Sequence, residues 1–261
     1  MHYLRIIAVY VRLGVLGELE YRANFFIQLL EAALTLVVSL GGLAVVFAHT
    51  DELNGWLPAH LIALVGIHTL MGGIINLVIS PSMERFMEDV RKGTLDFKLT
   101  KPADAQVLVS IQRIEIWKLI DVLLGIGVLG VALTRLERVV GWTETAVFLL
   151  VLFCGGLIVY SFWLMLATCS FWVVRVENIL VIFQSMYNAG RWPIGLYPGW
   201  LRFALTFIVP IAFAVTIPAQ GLIGRLTNQL LLGTVGLTAG LLIVSRLFWR
   251  FGIRHYSGAS A

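Results

Sequence analysis

The chain has 261 residues, 59% of them hydrophobic and only 13% charged, with a formal net charge of +4. A water-soluble domain carries roughly 25% charged residues, so the composition excludes an ordinary soluble enzyme. The modest basic excess is that of a membrane protein with Lys- and Arg-rich loops on one side and does not point to nucleic acid. Six or seven apolar stretches fill most of the length, with the charges confined to the gaps. Lipid cannot hydrogen-bond a backbone, so these stretches should be helices: an all-α polytopic membrane protein, one domain over 1–261.

Residues 3–22 carry Leu4, Ile7, Leu13, Leu16 and Leu19 on one broad face, broken by Arg5, Arg12, Glu18, Glu20 and Arg22. That pattern predicts an interfacial helix lying on the membrane; the other reading is a tail facing water. No cleavable signal peptide is expected, because the first long apolar run begins only near Phe25. Residues 25–48 form the first span, with Glu31 one to two turns inside its end and Asp51 and Glu52 beyond it. Residues 59–80 form the second, with Gly66, Gly72 and Gly73 as small residues for close helix approach. His60 and His68 lie eight residues apart; as metal ligands they lack a third partner of suitable spacing, and as packed or interfacial histidines they need none.

Residues 81–118 are the longest polar segment and hold seven basic residues: Arg85, Arg91, Lys92, Lys98, Lys101, Arg113 and Lys118. The positive-inside rule makes this loop cytoplasmic. Pro81-Ser82 reads as a helix start and Gly93 after Lys92 as a stop, which predicts a short helix over 82–92. Lys101-Pro102 marks a second break before a helix leading into the third span, 119–134, near whose start Asp121 sits. Arg135, Glu137 and Arg138 form a hinge, and 145–172 the fourth span. Its two cysteines, Cys154 and Cys169, are separated by about 22 Å of helix rise. That is too far for a disulfide, so both read as packing residues. Arg175 and Glu177 then mark a brief turn.

A short apolar piece, 178–189, precedes a run in which Pro193, Pro198, Pro210 and Pro218 argue against one plain span. The last span, 229–249, ends among Arg246, Arg250 and Arg254. The N-terminal segment, the 82–118 loop, the 173–177 turn and the C-terminal tail hold 3, 7, 1 and 3 basic residues, 14 of the 19 Lys and Arg. Both termini on that side require an even number of crossings. Six are obtained if 178–191 crosses and 194–224 dips in and returns as a re-entrant hairpin. If 200–222 also crossed, the count would be seven and the basic C-terminus would lie outside.

The chain contains no Gly-Lys pair and therefore no phosphate-binding loop, and it has no HExxH, GxSxG or CxxC motif. Glu31 and Asp121 are the deepest charges; neither reaches the expected midplane, and Arg22 and Lys118 are their natural partners.

Four features carry a family resemblance. They are the amphipathic segment 3–22, RKGTLDFKLTKP at 91–102, WPIGLYPGWLRFALTFIVPIAFAVTIPA at 192–219, and the tail WRFGIRHYSGASA at 249–261. Together they make the chain resemble the permease subunit of type 2 ABC exporters, a class that moves drugs, lipids and polysaccharides. The resemblance implies six spans, a dimer with a second copy or a related permease, and two separate ABC ATPase subunits that carry ATP and Mg. This chain would then hold no cofactor and catalyse nothing itself. It implies that helix 82–92 couples to the ATPase through Glu84, Arg85, Glu88, Asp89, Arg91, Gly93 and Asp96. It implies that 194–224 caps an outer pathway with Trp192, Pro193, Tyr197, Pro198, Trp200 and Pro210. It also implies a bacterial inner-membrane location among membrane lipids, with both termini cytoplasmic and a lipid-like, amphipathic or glycan-linked cargo. The alternatives are an ATP-independent channel or carrier using Glu31, Asp121 or the histidines, and an intramembrane hydrolase.

Overall fold

The computed structural model describes residues 22–136, 140–173 and 177–256, and every regular element among them is helical. The expected interfacial helix over 3–22, the Glu137–Arg138 hinge, Arg175 and the last five residues lie outside these, apart from Arg22, which opens the first helix. The elements are α1 (Arg22–Phe47), α2 (Pro58–Ile74), α3 (Ser80–Lys92), α4 (Asp96–Leu99), α5 (Ala105–Ser110), α6 (Leu119–Arg135), α7 (Trp142–Thr168), α8 (Glu177–Tyr187), α9 (Gly199–Phe203), α10 (Ile217–Leu222) and α11 (Asn228–Arg254). Among the described residues five helices are long and apolar enough to cross a membrane: Asn24–Phe47, Pro58–Lys92, Ile116–Arg135, Trp142–Phe171 and Asn228–Arg254. These are the five clear spans of the sequence, and the chain is a multi-pass membrane protein.

The second span departs from expectation. Pro81 does not start a new helix; α2 and α3 run on as one 35-residue helix, Pro58–Lys92. The reason is a π-helical turn, Ile75–Ile79, placed just before the proline. Proline lacks an N–H and its ring crowds the carbonyl four residues back. Here the Ser80 N–H reaches one residue further, to the Ile75 carbonyl, which widens the turn and makes room. The device recurs: π turns Ala204–Ile208 and Ala212–Thr216 also end two residues before a proline, Pro210 and Pro218. At Pro218 the helix continues into α10. At Pro210 it breaks, because Val209 adopts an extended conformation (φ −121°, ψ 100°).

The fifth crossing is not a long helix. From the face that carries residues 93–115, α8 rises past Trp163, with the Phe183 ring 4.9 Å from it, to Tyr187, which stacks on His68 at 4.5 Å. Two short 3-10 turns, Asn188–Arg191 and Ile194–Leu196, finish the climb, and Gly195 accepts a long hydrogen bond (3.5 Å) from the Asn54 amide at the opposite face. The segment that follows returns to the same place. Arg225 donates to the Gly55 carbonyl at 2.7 Å, so both ends of 196–224 sit beside one turn. Its limbs, Gly199–Ile208 and Ala212–Leu222, meet at 80°. The expected re-entrant segment is therefore a pair of short helical limbs with an 80° corner between them. It reaches the middle of α7, where the Phe213 carbonyl would lie 2.3 Å from a Cβ at Gly155; only glycine admits it.

Helix α2 is the centre of the bundle. Gly66 and Gly73 lie against α6, as Gly125 of α6 lies against the Leu70 backbone, and Gly72 meets Tyr187. With no hydrophobic drive between helices in lipid, such close backbone approach supplies the packing energy. Helices α1 and α11 leave most of their apolar surface outward. The Cys154 thiol is buried and that of Cys169 half-buried, and both are free.

Candidate functional site

One polar end of the bundle is organised by α3 and the loop after it. Gly93 takes a left-handed conformation (φ 67°) and ends the helix, as its sequence position predicts. The chain turns so that Thr94 donates through its backbone to the Asp89 carbonyl at 2.9 Å and through its hydroxyl to the Asp89 carboxylate at 3.0 Å. Lys98 closes onto the same carboxylate and onto the Gln112 amide oxygen, and Gln112 donates to the Ser82 carbonyl. Asp89 is only 3% exposed. It is thus not part of an exposed polar face; it clamps the GTLDFK loop to the helix.

The exposed surface is made by the others. Glu84, Arg85 and Arg91 are open to solvent, Glu88 is half-exposed and bridges Arg85 and Lys92, and Asp96 is half-buried at the start of α4. Beside them Phe97 projects, 73% exposed, from the same loop. The result is a charged ridge with one apolar knob.

A second network ties this end to the last helix. Asp104 N-caps α5, accepting from Gln106 at 2.9 Å and Val107 at 3.4 Å. It also receives both guanidinium nitrogens of Arg246 from α11. Arg246 donates again to the Gln106 side chain at 2.6 Å, and Gln106 to the Tyr160 hydroxyl of α7 at 3.1 Å. The hydrogen bonds from Arg246 hold the Asp104 carboxyl below the usual carboxylate range, against the opposing effect of its partial burial. The helix after Pro102 is therefore a six-residue piece locked to α7 and α11, separate from the span it was expected to enter.

At the opposite face, Tyr197 donates to the Ala189 carbonyl at 2.9 Å and Arg202 to the Gly195 carbonyl at 2.8 Å, which folds the Trp192–Trp200 stretch into a compact elbow. Pro193 is buried, Trp192 half-buried, Pro198 caps α9, Trp200 is 73% exposed, and Pro210 is buried at the corner. Trp200 projects outward, while the other five shape the elbow and the corner.

Between these ends lies a polar cavity of about 270 Å³ at the junction of α1, α2, α6 and α8. Lys118 sits between two carboxylates, 3.8 Å from Glu31 and 3.9 Å from Asp121. Of the expected partners of these acids, Arg22 and Lys118, Lys118 stands near both; the Arg22 side chain lies outside the described residues. Arg191 reaches in from the other side, donating to Asn188 at 3.2 Å. Its Nε is buried with no hydrogen-bond partner. Asn76 and Gln184 line both this cavity and a larger one, of about 590 Å³, that opens among Glu84, Arg85 and Arg91. A polar track therefore joins the charged ridge to the middle of the bundle. His68 is spent on structure: its ring contacts the Tyr187 carbonyl at 3.1 Å, and the Tyr187 hydroxyl donates to the His68 carbonyl at 2.8 Å. His60 accepts from the Leu57 N–H at the start of α2.

Sequence reasoning missed Phe97, the Asp104–Arg246 lock and Arg191. An apolar residue in a basic loop was the available signal for Phe97. No local pattern announces contacts that span 142 residues.

The model of a family described as "ABC-2 family transporter protein" matches residues 15–260 of the chain. No curated protein and no solved structure matches it.

Proposed function

The chain belongs to the ABC-2 transporter family and so is the transmembrane component of an ABC transporter that works with an ABC ATPase. From that premise we propose that it is the permease of an exporter. Two copies, or this chain and a related one, would pair in a bacterial inner membrane with both termini cytoplasmic. Two ATPase subunits would bind and hydrolyse ATP with Mg, and the cargo would be lipid-like, amphipathic or glycan-linked.

The single observation that carries the reading is the ridge of Glu84, Arg85, Glu88 and Arg91 with Phe97 beside it, at the end of a helix that runs unbroken into the bundle. An ATPase seated there would push on a 35-residue rod. Asp89, Lys98 and Thr94 keep the loop rigid against that rod, so that rigid-body motion is transmitted and not absorbed. Gly93 and Asp96 shape the same loop. The elbow at Trp192–Trp200 and the corner at Pro210 would close the far end of the pathway.

The test is a pull-down of the tagged protein from its native membrane in mild detergent, with mass spectrometry. A stoichiometric ABC ATPase is the expected result, and a second related permease in the sample would decide between homodimer and heterodimer. A stable lone oligomer with no ATPase would contradict the reading and favour a channel or carrier.

A further inference from the structure

Next to the polar cavity, on the side toward the Asn54 face, is an apolar groove of about 630 Å³ between α1, α2 and α6. Leu36 lines both. Along α1 the stripe Leu36, Leu40, Leu43 and Phe47 carries the groove onward, and on α6 Leu124, Gly127 and Val131 face it. The helices change character at one level: Glu31, Asn76 and Asp121 lie on one side of it, and these aliphatic residues lie on the other. The groove volume falls in the range of about 300–1,000 Å³ typical of small-molecule sites.

Resting on the permease reading above, we propose that this composite binds one amphiphile. Its phosphate-bearing headgroup lies in the cavity against Arg191 and Lys118, and its hydrocarbon tail lies in the groove between α1 and α6. The groove runs between membrane-spanning helices and is lined by apolar residues except at its far end, where Arg135 closes it, so the part of its occupant that lies along it is apolar. The cavity selects the head. Lys118 stands beyond hydrogen-bond reach of Glu31 and Asp121, and the buried Arg191 Nε has no partner. A buried unmet donor on a guanidinium is costly, and a phosphate oxygen is the acceptor whose geometry it matches. Glu31, 62% exposed at the mouth, has the opposite charge and would meet any ammonium on the same headgroup. A carboxylate so exposed within an apolar helix belongs beside a polar pathway, not lipid. The track through Asn76 and Gln184 gives the headgroup an approach from the charged ridge.

The experiment is native mass spectrometry of the full chain in mild detergent, titrated with three probes. These are oleoyl lysophosphatidic acid (tail and phosphate), monoolein (tail alone) and glycerol 3-phosphate (head alone). The phosphate lipid should be retained at concentrations about tenfold or more below the other two. Arg191→Met, which removes the charge and the donors, and Gly127→Phe, which fills the groove, should each weaken it about tenfold. No atom lies within 4 Å of a Cβ at Gly127, so the new side chain starts in open space, and an unchanged thermal midpoint of this variant shows that its effect is on the site and not on the fold. Equal retention of the phosphate lipid by both variants, equal binding of monoolein, or equal binding of glycerol 3-phosphate would overturn the proposal. Co-purification of an ATPase is scored on the same preparations. Its absence with the lipid retained would sink the permease reading alone, and its presence without lipid selectivity would sink the binding site alone.

Discussion

Glu115 donates its backbone N–H to the carbonyl of Leu77 at 2.9 Å, the carbonyl that an N–H at position 81 would take in a regular α-helix. The proline therefore frees an acceptor inside a long helix, and the loop returning to α6 uses it. A π turn relieves the crowding and a tertiary hydrogen bond fills the vacancy, so α2 and α3 stay one rod while the loop is pinned to it.

Replacing Pro81 with Ala supplies an N–H that competes for the Leu77 carbonyl. The Glu115 amide should then exchange with deuterium up to about tenfold faster, the equivalent of one net backbone bond. Unchanged exchange at Glu115 would show that the bond does not depend on the proline.

Lys98→Met leaves the buried Asp89 carboxylate with Arg85, whose Nε lies 3.5 Å away, in place of its ammonium partner. Removing one member of a buried pair costs up to about 3 kcal/mol where no other charge compensates; with Arg85 still present a smaller but clear drop in thermal midpoint in detergent is expected. The double variant Asp89→Asn/Lys98→Met should recover most of the loss. A single variant as stable as the parent would mean that the clamp contributes nothing.

The Asp104 carboxyl is held below its ordinary range by the Arg246 hydrogen bonds. A carboxyl whose folded value is depressed stabilises the protein above the unfolded value, about 3.9, and that stabilisation is lost as pH falls through the folded value. Melting followed from pH 6 downward should therefore decline steeply below about pH 4. Asp104→Asn, which keeps the cap on α5, should flatten that acid limb. Parallel acid limbs in the two proteins would contradict the assignment.

Phe97 is exposed and makes no packing contribution to the bundle core, so Phe97→Ala should leave the melting temperature unchanged. If the knob docks into the ATPase, binding of that subunit should weaken about tenfold, as for an aromatic anchor at an interface. Titration of the purified ATPase against both forms decides it.

The spans, their order and the stop at Gly93 were legible because hydropathy and helix-end chemistry are local. The re-entrant segment was legible in outline from Pro193, Pro198, Pro210 and Pro218, since each removes a backbone donor. Pro81 misled because the same removal has a second solution, the π turn, with the Leu77 carbonyl satisfied by Glu115, 38 residues along the chain. Lys118 was legible on charge alone as a partner of the acids Glu31 and Asp121; that it meets both follows from the packing of α1 against α6. Arg191 was invisible as a site residue because what matters about it, a buried donor without an acceptor, exists only once α8 is folded against α2. The same holds for Asp104 and Arg246.

The central claim is that the Lys92–Pro102 end of the bundle seats the ATPase. Site-specific photocross-linking tests it most directly, with Phe97→p-benzoylphenylalanine at that end and Trp142→p-benzoylphenylalanine, exposed at the opposite face, as the control. Illumination of native membranes should cross-link an ABC ATPase to position 97 and not to position 142. Cross-links to the ATPase from neither position, or from position 142, would contradict the account.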